Sequence, residues 1–166
     1  MKLKSLTFAG VAAALYTLLT LSGYGISFGP LQFRFSEALC ILPLLFPETA
    51  IGLTVGCFLS NLIGGFGPWD VVLGTLATLI GSVGTLLCGK FLKKELLRII
   101  FGVLCPVVAN ALIIPVVFVL TGTAQYFYFI EVLIMFATEL GAVGVIGVPL
   151  YLALKKAFES IGNRKE

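Results

Sequence analysis

The charged residues of this chain are segregated, and long stretches carry none. Ser5–Phe33, Thr49–Trp69, Val71–Gly89 and Ile99–Ile130 contain no Asp, Glu, Lys or Arg, and Val132–Leu154 is interrupted only by Glu139. A spanning helix needs about 20 consecutive apolar residues, and only a helix satisfies every backbone group within such a stretch. Charged residues make up 11% of the chain, against roughly a quarter in soluble domains, so the polar surface of a water-soluble particle is missing. The expected fold is an all-α membrane protein, a bundle in lipid.

Lys2 and Lys4 precede the first apolar run, as in a signal peptide. That run exceeds the usual core of about 7–15 residues, and no small-x-small cleavage site follows near Ser22–Tyr24, so a retained helix is expected. Spans are expected near Leu6–Tyr24, Ser36–Phe46, Thr49–Gly65, Val71–Gly89, Ile99–Thr121 and Ile130–Leu154. The second is short and holds Pro43, with Pro47 just beyond it, which suggests a broken or half-embedded helix. Six crossings with a cytoplasmic N-terminus put Lys2, Lys4, Lys90, Lys93, Lys94, Arg98, Lys155, Lys156, Arg164 and Lys165 inside. That is ten of the 11 cations, with Arg34 alone outside. Five crossings keep nine inside and export the N-terminus. Six transmembrane helices with both termini cytoplasmic is therefore the expected topology. No repeat or linker appears, so residues 1–166 are expected to form one domain.

Several chemistries are excluded. The stretch Gly84-Thr85-Leu86-Leu87-Cys88-Gly89-Lys90 imitates a phosphate-binding loop, but Phe91 follows where Ser or Thr is required, and the stretch ends an apolar helix. With no histidine, neither a catalytic triad nor an HExxH zinc site can form. Cys40, Cys57, Cys88 and Cys105 lie in apolar segments without CxxC spacing and are expected to pack as small residues. No enzyme activity, cofactor or metal is expected.

What remains is a set of polar groups where lipid rejects them. Glu139 lies about 9 residues from the outer end of its span, roughly 13 Å deep, and Asn110 sits at comparable depth. Each has two readings: an interhelix hydrogen bond, with Glu139 meeting Asn110, or a solute contact. Arg34, three residues before Glu37, is either half of a local ion pair or the wall of an outward pocket. Asn61, late in the third span, and Trp69-Asp70, after a glycine-rich turn, complete the candidate set. Phe33, Phe35, Trp69 and Tyr126 suit either an interfacial belt or a stack on a planar ring. An outward pocket with aromatic walls and convergent polar groups fits a small heterocyclic solute. Small residues recur at helix-contact spacing in Ala9/Ala13, Gly10/Ala14, Gly52/Gly56 and Gly141/Gly144/Gly147.

At Ala9-x3-Ala13, Gln32-Phe33-Arg34-Phe35-Ser36-Glu37-Ala38-Leu39 and Leu42-Pro43 the chain resembles the substrate-binding S components of energy-coupling factor (ECF) vitamin transporters. It is similar to the QueT family, proposed to carry queuosine precursors. Further likeness lies in Gly52-Leu53-x-x-Gly56-Cys57-x-x-x-Asn61, Asp70-x-x-x-Gly74-Thr75-Leu76-Ala77-Thr78, and Glu139 near Gly141. The resemblance implies a six-helix module in the cell membrane of a prokaryote that captures its solute outside. It implies a transmembrane coupling subunit (EcfT-type) and two cytoplasmic ATPases as partners, with Ala9 and Ala13 docking on the former. No nucleic-acid partner is implied. Queuosine precursors are 7-deazaguanines, whose ring-edge donors Glu139 would accept while Asn110 meets the neighbouring carbonyl. Arg34, Glu37, Asn61, Trp69 and Asp70 are the remaining expected contacts, with Glu37 or Asp70 meeting the charge of an aminomethyl-bearing precursor. An S component for another vitamin, or a stand-alone secondary transporter of a small heterocycle, is the alternative.

Overall fold

The computed structural model describes residues 3–29 and 31–163. Among them there is no strand. Six helical segments follow in order: α1 (Leu3–Ser22), α2 (Phe35–Leu44), α3 (Thr49–Gly64), α4 (Asp70–Phe91), α5 (Glu95–Thr121) and α6 (Tyr128–Ser160). A single helical turn, Tyr24–Ser27, trails α1. By length and composition α1, α4, α5 and α6 can each cross a membrane, while α2 and α3 are shorter apolar helices.

The second segment departs most from expectation. It is unbroken, a continuous 3₁₀ helix at the centre of the bundle, packed by every other helix, and Ser36 through Leu44 are all buried. A 3₁₀ helix rises about 2.0 Å per residue against 1.5 Å for an α-helix, so ten residues reach roughly 20 Å. Its central place follows from its polar content. Lipid tails are as apolar as leucine, so apolar side chains gain little by leaving them, whereas Ser36, Glu37 and Cys40 must find partners away from lipid. The outer faces of the other helices stay apolar, as Leu6, Leu18, Leu62, Val72 and Leu133 illustrate.

Close approach between helices follows the small residues. A Cβ at Gly56 would stand 2.8 Å from the Ala13 carbonyl oxygen, and one at Gly52 would collide with that of Ala9. The Gly52/Gly56 and Ala9/Ala13 pairs are thus two sides of one α1–α3 contact. In α5, Pro106 cannot donate to the carbonyl of Gly102 four residues earlier. Thr85 of α4 takes over, its hydroxyl donating to that carbonyl at 2.8 Å. Cys88 and Cys105 also meet at this α4–α5 contact, sulfurs 3.9 Å apart.

The helices alternate in direction and gather two chemically distinct ends. At one, Ser5 donates to Glu48 (2.8 Å), Arg98 to the Leu44 carbonyl (3.2 Å) and Lys155 to Glu95 (2.5 Å). Phe46 there stacks on Phe8 of α1 and meets Phe158 of α6 edge-on. Lys4, Lys90, Lys93, Lys94, Arg98, Lys155 and Lys156 belong to this end, while Lys2, Arg164 and Lys165 lie outside the described residues. Among the described cations Arg34 alone belongs to the opposite end, beside Ser27 and Asp70.

Candidate functional site

Each of the six helices sends polar groups inward. Tyr16 and Thr20 stand one turn apart on the inner face of α1, both fully buried. Tyr16 donates its hydroxyl to Glu37 Oε1, and the Cys40 thiol donates to Glu37 Oε2 at 3.0 Å. Asn110 of α5 donates to the same Oε2 at 3.4 Å. Thr20 hydrogen-bonds Ser36 at 2.7 Å. Glu37 is therefore surrounded by donors and held in place.

A second group surrounds Asp70. Its Oδ2 accepts the Phe66 backbone N–H at 3.2 Å, and its carbonyl accepts the Asn61 amide at 3.0 Å. Arg34 Nη2 stands 3.5 Å from Oδ2 as an ion pair without hydrogen-bond geometry, while Arg34 Nε donates to the Ser27 carbonyl at 3.4 Å. The guanidinium also lies over the Phe28 ring, 5.0 Å from its centroid. Gly74 is required by closeness, since a Cβ there would stand 2.6 Å from Asn61 Nδ2.

Glu139 is the third acid, 4% exposed, next to Asn110 and within electrostatic reach of Glu37 and Arg34. Two of these acids sit at wide-wound turns. Asp70 opens a π-helical segment, Asp70–Gly74, and Glu139 immediately precedes another, Leu140–Gly147. Such turns shift side chains off the regular helical register and recur at functional sites.

The unpaired atoms are as informative as the paired ones. Glu139 Oε2, Asp70 Oδ1 and Asn61 Oδ1 are buried acceptors without a donor, and Gln32 Nε2 and Arg34 Nη2 are buried donors without an acceptor. An unmatched buried polar group costs about 1–3 kcal/mol, so a group of them calls for an explanation. Above them, at the same end, lies a cleft of about 340 Å³ lined by Phe28, Gly29, Phe66, Phe118, Thr123 and Gln125. Phe28 and Phe66 form an edge-on pair at 6.4 Å, and Phe66 and Phe118 another at 5.8 Å. Phe28 covers Arg34 and the Phe66 backbone holds Asp70, so the lining of the cleft is continuous with the polar cluster.

Of the residues expected from sequence, Arg34, Glu37, Asn61, Asp70, Asn110 and Glu139 converge in this interior, none more than 4% exposed. Trp69 does not join them; it is 51% exposed at the rim. The local Arg34–Glu37 pair is not formed: Arg34 turns to Asp70, and Glu37 to Tyr16, Cys40 and Asn110. The aromatic wall is Phe28, Phe66 and Phe118 rather than Phe35 and Tyr126, which are 42% and 54% exposed. Ala9 is buried against α3, and Ala13, half-buried, edges an outer groove of about 500 Å³ that also includes Gly10, Ala14, Thr17, Leu18, Leu21 and Leu59. Tyr16, Cys40 and Gln32 were not singled out as site residues; their signal was polarity within an apolar run.

An all-helical bundle, apolar outside and polar inside, with helices long enough to cross the bilayer, defines a multi-pass membrane protein equipped for a polar solute. The chain belongs to the QueT transporter family, whose profile matches residues 6–156. Over 84 residues it is 40% identical to the queuosine precursor transporter QueT of Lactococcus lactis subsp. cremoris (strain MG1363). That match covers 49% of this chain and 49% of the relative, so about half the relative's length is spanned. No solved structure matches the chain.

Proposed function

We propose that this protein is the substrate-binding component of an energy-coupling factor importer, capturing a queuosine precursor of the 7-deazaguanine type outside a prokaryotic cell. Residues 1–166 then act as one domain crossing the cell membrane six times, both termini cytoplasmic and the cleft facing out. The observation that carries this reading is the cluster of unpaired buried donors and acceptors beneath an aromatic-walled cleft, at the end opposite the basic residues. A 7-deazaguanine offers N1–H and N2–H2 side by side, and a carboxylate accepts both in one plane. Glu139, with a free oxygen, suits that role. Phe28, Phe66 and Phe118 supply ring faces for the bicycle, and Asp70 and Asn61 supply acceptors for a substituent such as a protonated aminomethyl group. Glu37 and Asn110 hold each other at the wall, and Trp69 anchors the rim. ATP would be hydrolysed by two cytoplasmic partner subunits through a transmembrane coupling subunit. The groove edged by Gly10, Ala13 and Ala14 is the docking face, because Ala9 is already used against α3.

The test is calorimetric titration of detergent-purified protein with 7-deazaguanine bases, for wild type and Glu139→Gln. The amide replaces one acceptor by a donor facing a donor. A charge-assisted hydrogen bond contributes about 1.5–3 kcal/mol, so affinity should weaken by roughly one to two orders of magnitude. Wild type that binds no such base would overturn the reading. Uptake in vesicles without the ATPase subunits would replace it with a stand-alone carrier.

A further inference from the structure

We propose that Gln32 is a solute-contacting specificity residue, its side-chain amide donating alongside Arg34 to a ring carbonyl of the bound heterocycle, across from Glu139. This rests on the solute class proposed above. Three independent features of Gln32 point the same way. First, its backbone is strained: φ is 42°, the only positive φ of a non-glycine residue among those described. Residues other than Gly, Asn and Asp seldom occupy this region, and such strain persists only where the surroundings impose it. Its N–H closes a turn onto the Gly29 carbonyl at 3.0 Å, a task that glycine would perform without strain. Second, it is 3% exposed, yet its Nε2 has no acceptor. A glutamine at a loop bend can ordinarily reach solvent, so an interior amide left unpaired is a cost that the turn alone does not explain. Third, it adjoins the site along the chain, two residues before Arg34, whose own backbone is extended at φ −105° and ψ 113°. Arg34 is buried beside Asp70 with Nη2 also unpaired. The intervening Phe33 is half-buried, its ring 3.5 Å from where a Cβ of Gly141 would be, two residues beyond Glu139. The Gln32–Arg34 segment thus runs beside the start of the π-wound part of α6.

Among the unpaired atoms Gln32 and Arg34 present donors at this end, Glu139, Asp70 and Asn61 present acceptors, and the Ser27 and Thr75 hydroxyls can serve as either. A guanine-like ring has the complementary arrangement, a 6-carbonyl acceptor adjoining N1–H and N2–H2 donors. Gln32 and Arg34 match the carbonyl, and Glu139 matches the donors. A neutral amide beside a guanidinium also discriminates: a 6-amino ring would set donors against donors there.

The experiment pairs Gln32→Gly with two probes, 7-deazaguanine and its 6-deoxo analogue 2-amino-7-deazapurine, titrated into purified full-length protein. Glycine accepts φ 42° and removes the whole side chain, amide included, so the variant should be folded, the relieved backbone strain offsetting the lost stem contacts. Affinity for 7-deazaguanine should fall about tenfold, the usual loss when one buried hydrogen bond is removed. Affinity for the 6-deoxo analogue should be equal in both proteins. Equal losses for both probes would make Gln32 a loop-ordering residue and overturn the inference, as would full retention of 7-deazaguanine affinity. Wild type that binds neither probe would remove the proposed solute class itself, a result distinct from either.

Discussion

Removing one charge from the Arg34–Asp70 pair separates a binding role from a structural one. Asp70 is fully buried and Arg34 is 4% exposed, so neither charge is relieved by water. Asp70→Asn keeps the shape and leaves an oxygen for the Phe66 N–H, now 3.2 Å from Oδ2, but strands the guanidinium. Breaking a buried pair by deleting one partner costs about 3–5 kcal/mol. The lower part of that range is expected here, because the Ser27 carbonyl and the Phe28 ring still face Arg34. At roughly 2–4 °C per kcal/mol for a chain of this size, a loss near 3 kcal/mol lowers the unfolding midpoint by about 6–12 °C. Fluorescence of Trp69, the single tryptophan and the neighbour of Asp70, provides the readout in detergent. The double variant Arg34→Met/Asp70→Asn removes both charges and keeps an oxygen for the Phe66 N–H, and replacing both members of a buried pair is often neutral or stabilising. Its midpoint should return to near that of wild type while 7-deazaguanine binding stays lost. A single variant that melts with wild type would show that the pair is not buried and ionised. A double variant that recovers binding together with stability would make the pair a scaffold only.

The other predictions concern topology and docking. In cells, a cysteine placed at Thr123, in the wall of the cleft, should react with an impermeant thiol reagent from outside, and one at Glu95 should not; the opposite pattern would invert the bundle. Ala14→Leu, on the exposed face of α1, should abolish ATP-dependent uptake with solute binding intact. Gly56→Leu should instead lower the yield of folded protein, because its side chain would enter the Ala13 backbone; an effect on uptake alone would mean that α1 and α3 can separate freely.

The helical elements were legible because lipid makes the cost of a charge local. Where Ser5–Phe33 or Ile99–Ile130 carries none, a helix follows, and in the structure α1 and α5 occupy these stretches. The winding of α2 was not legible. Nothing between Phe35 and Leu44 other than Pro43 distinguishes a 3₁₀ helix from a short α-helix, and only the surrounding helices force the narrower coil. The π turns at Asp70 and Leu140 left no signal either, although the residues beside them did.

The same distinction explains the site. A polar residue in an apolar run identifies itself, and Arg34, Glu37, Asn61, Asp70, Asn110 and Glu139 were all visible in that way. Its partner is not visible, because partnership depends on rotation about the helix axis. Arg34 and Glu37, three apart, invite a local pair only if both lie on a helix. Arg34 is extended and precedes the helix, so its side chain leaves toward Asp70. Glu37 and Cys40, also three apart, lie within the 3₁₀ turn, where i and i+3 eclipse one another. The thiol therefore reaches the carboxylate at 3.0 Å, and Tyr16 and Asn110 approach it from α1 and α5. One change of winding thus redirects two acidic side chains: Glu37 is satisfied within the protein, and Asp70 is engaged with Arg34. Glu139 is left as the acid with an unpaired oxygen and no cation of its own. That asymmetry among three buried carboxylates is the physical reason to assign the solute's donor edge to Glu139 rather than to Glu37.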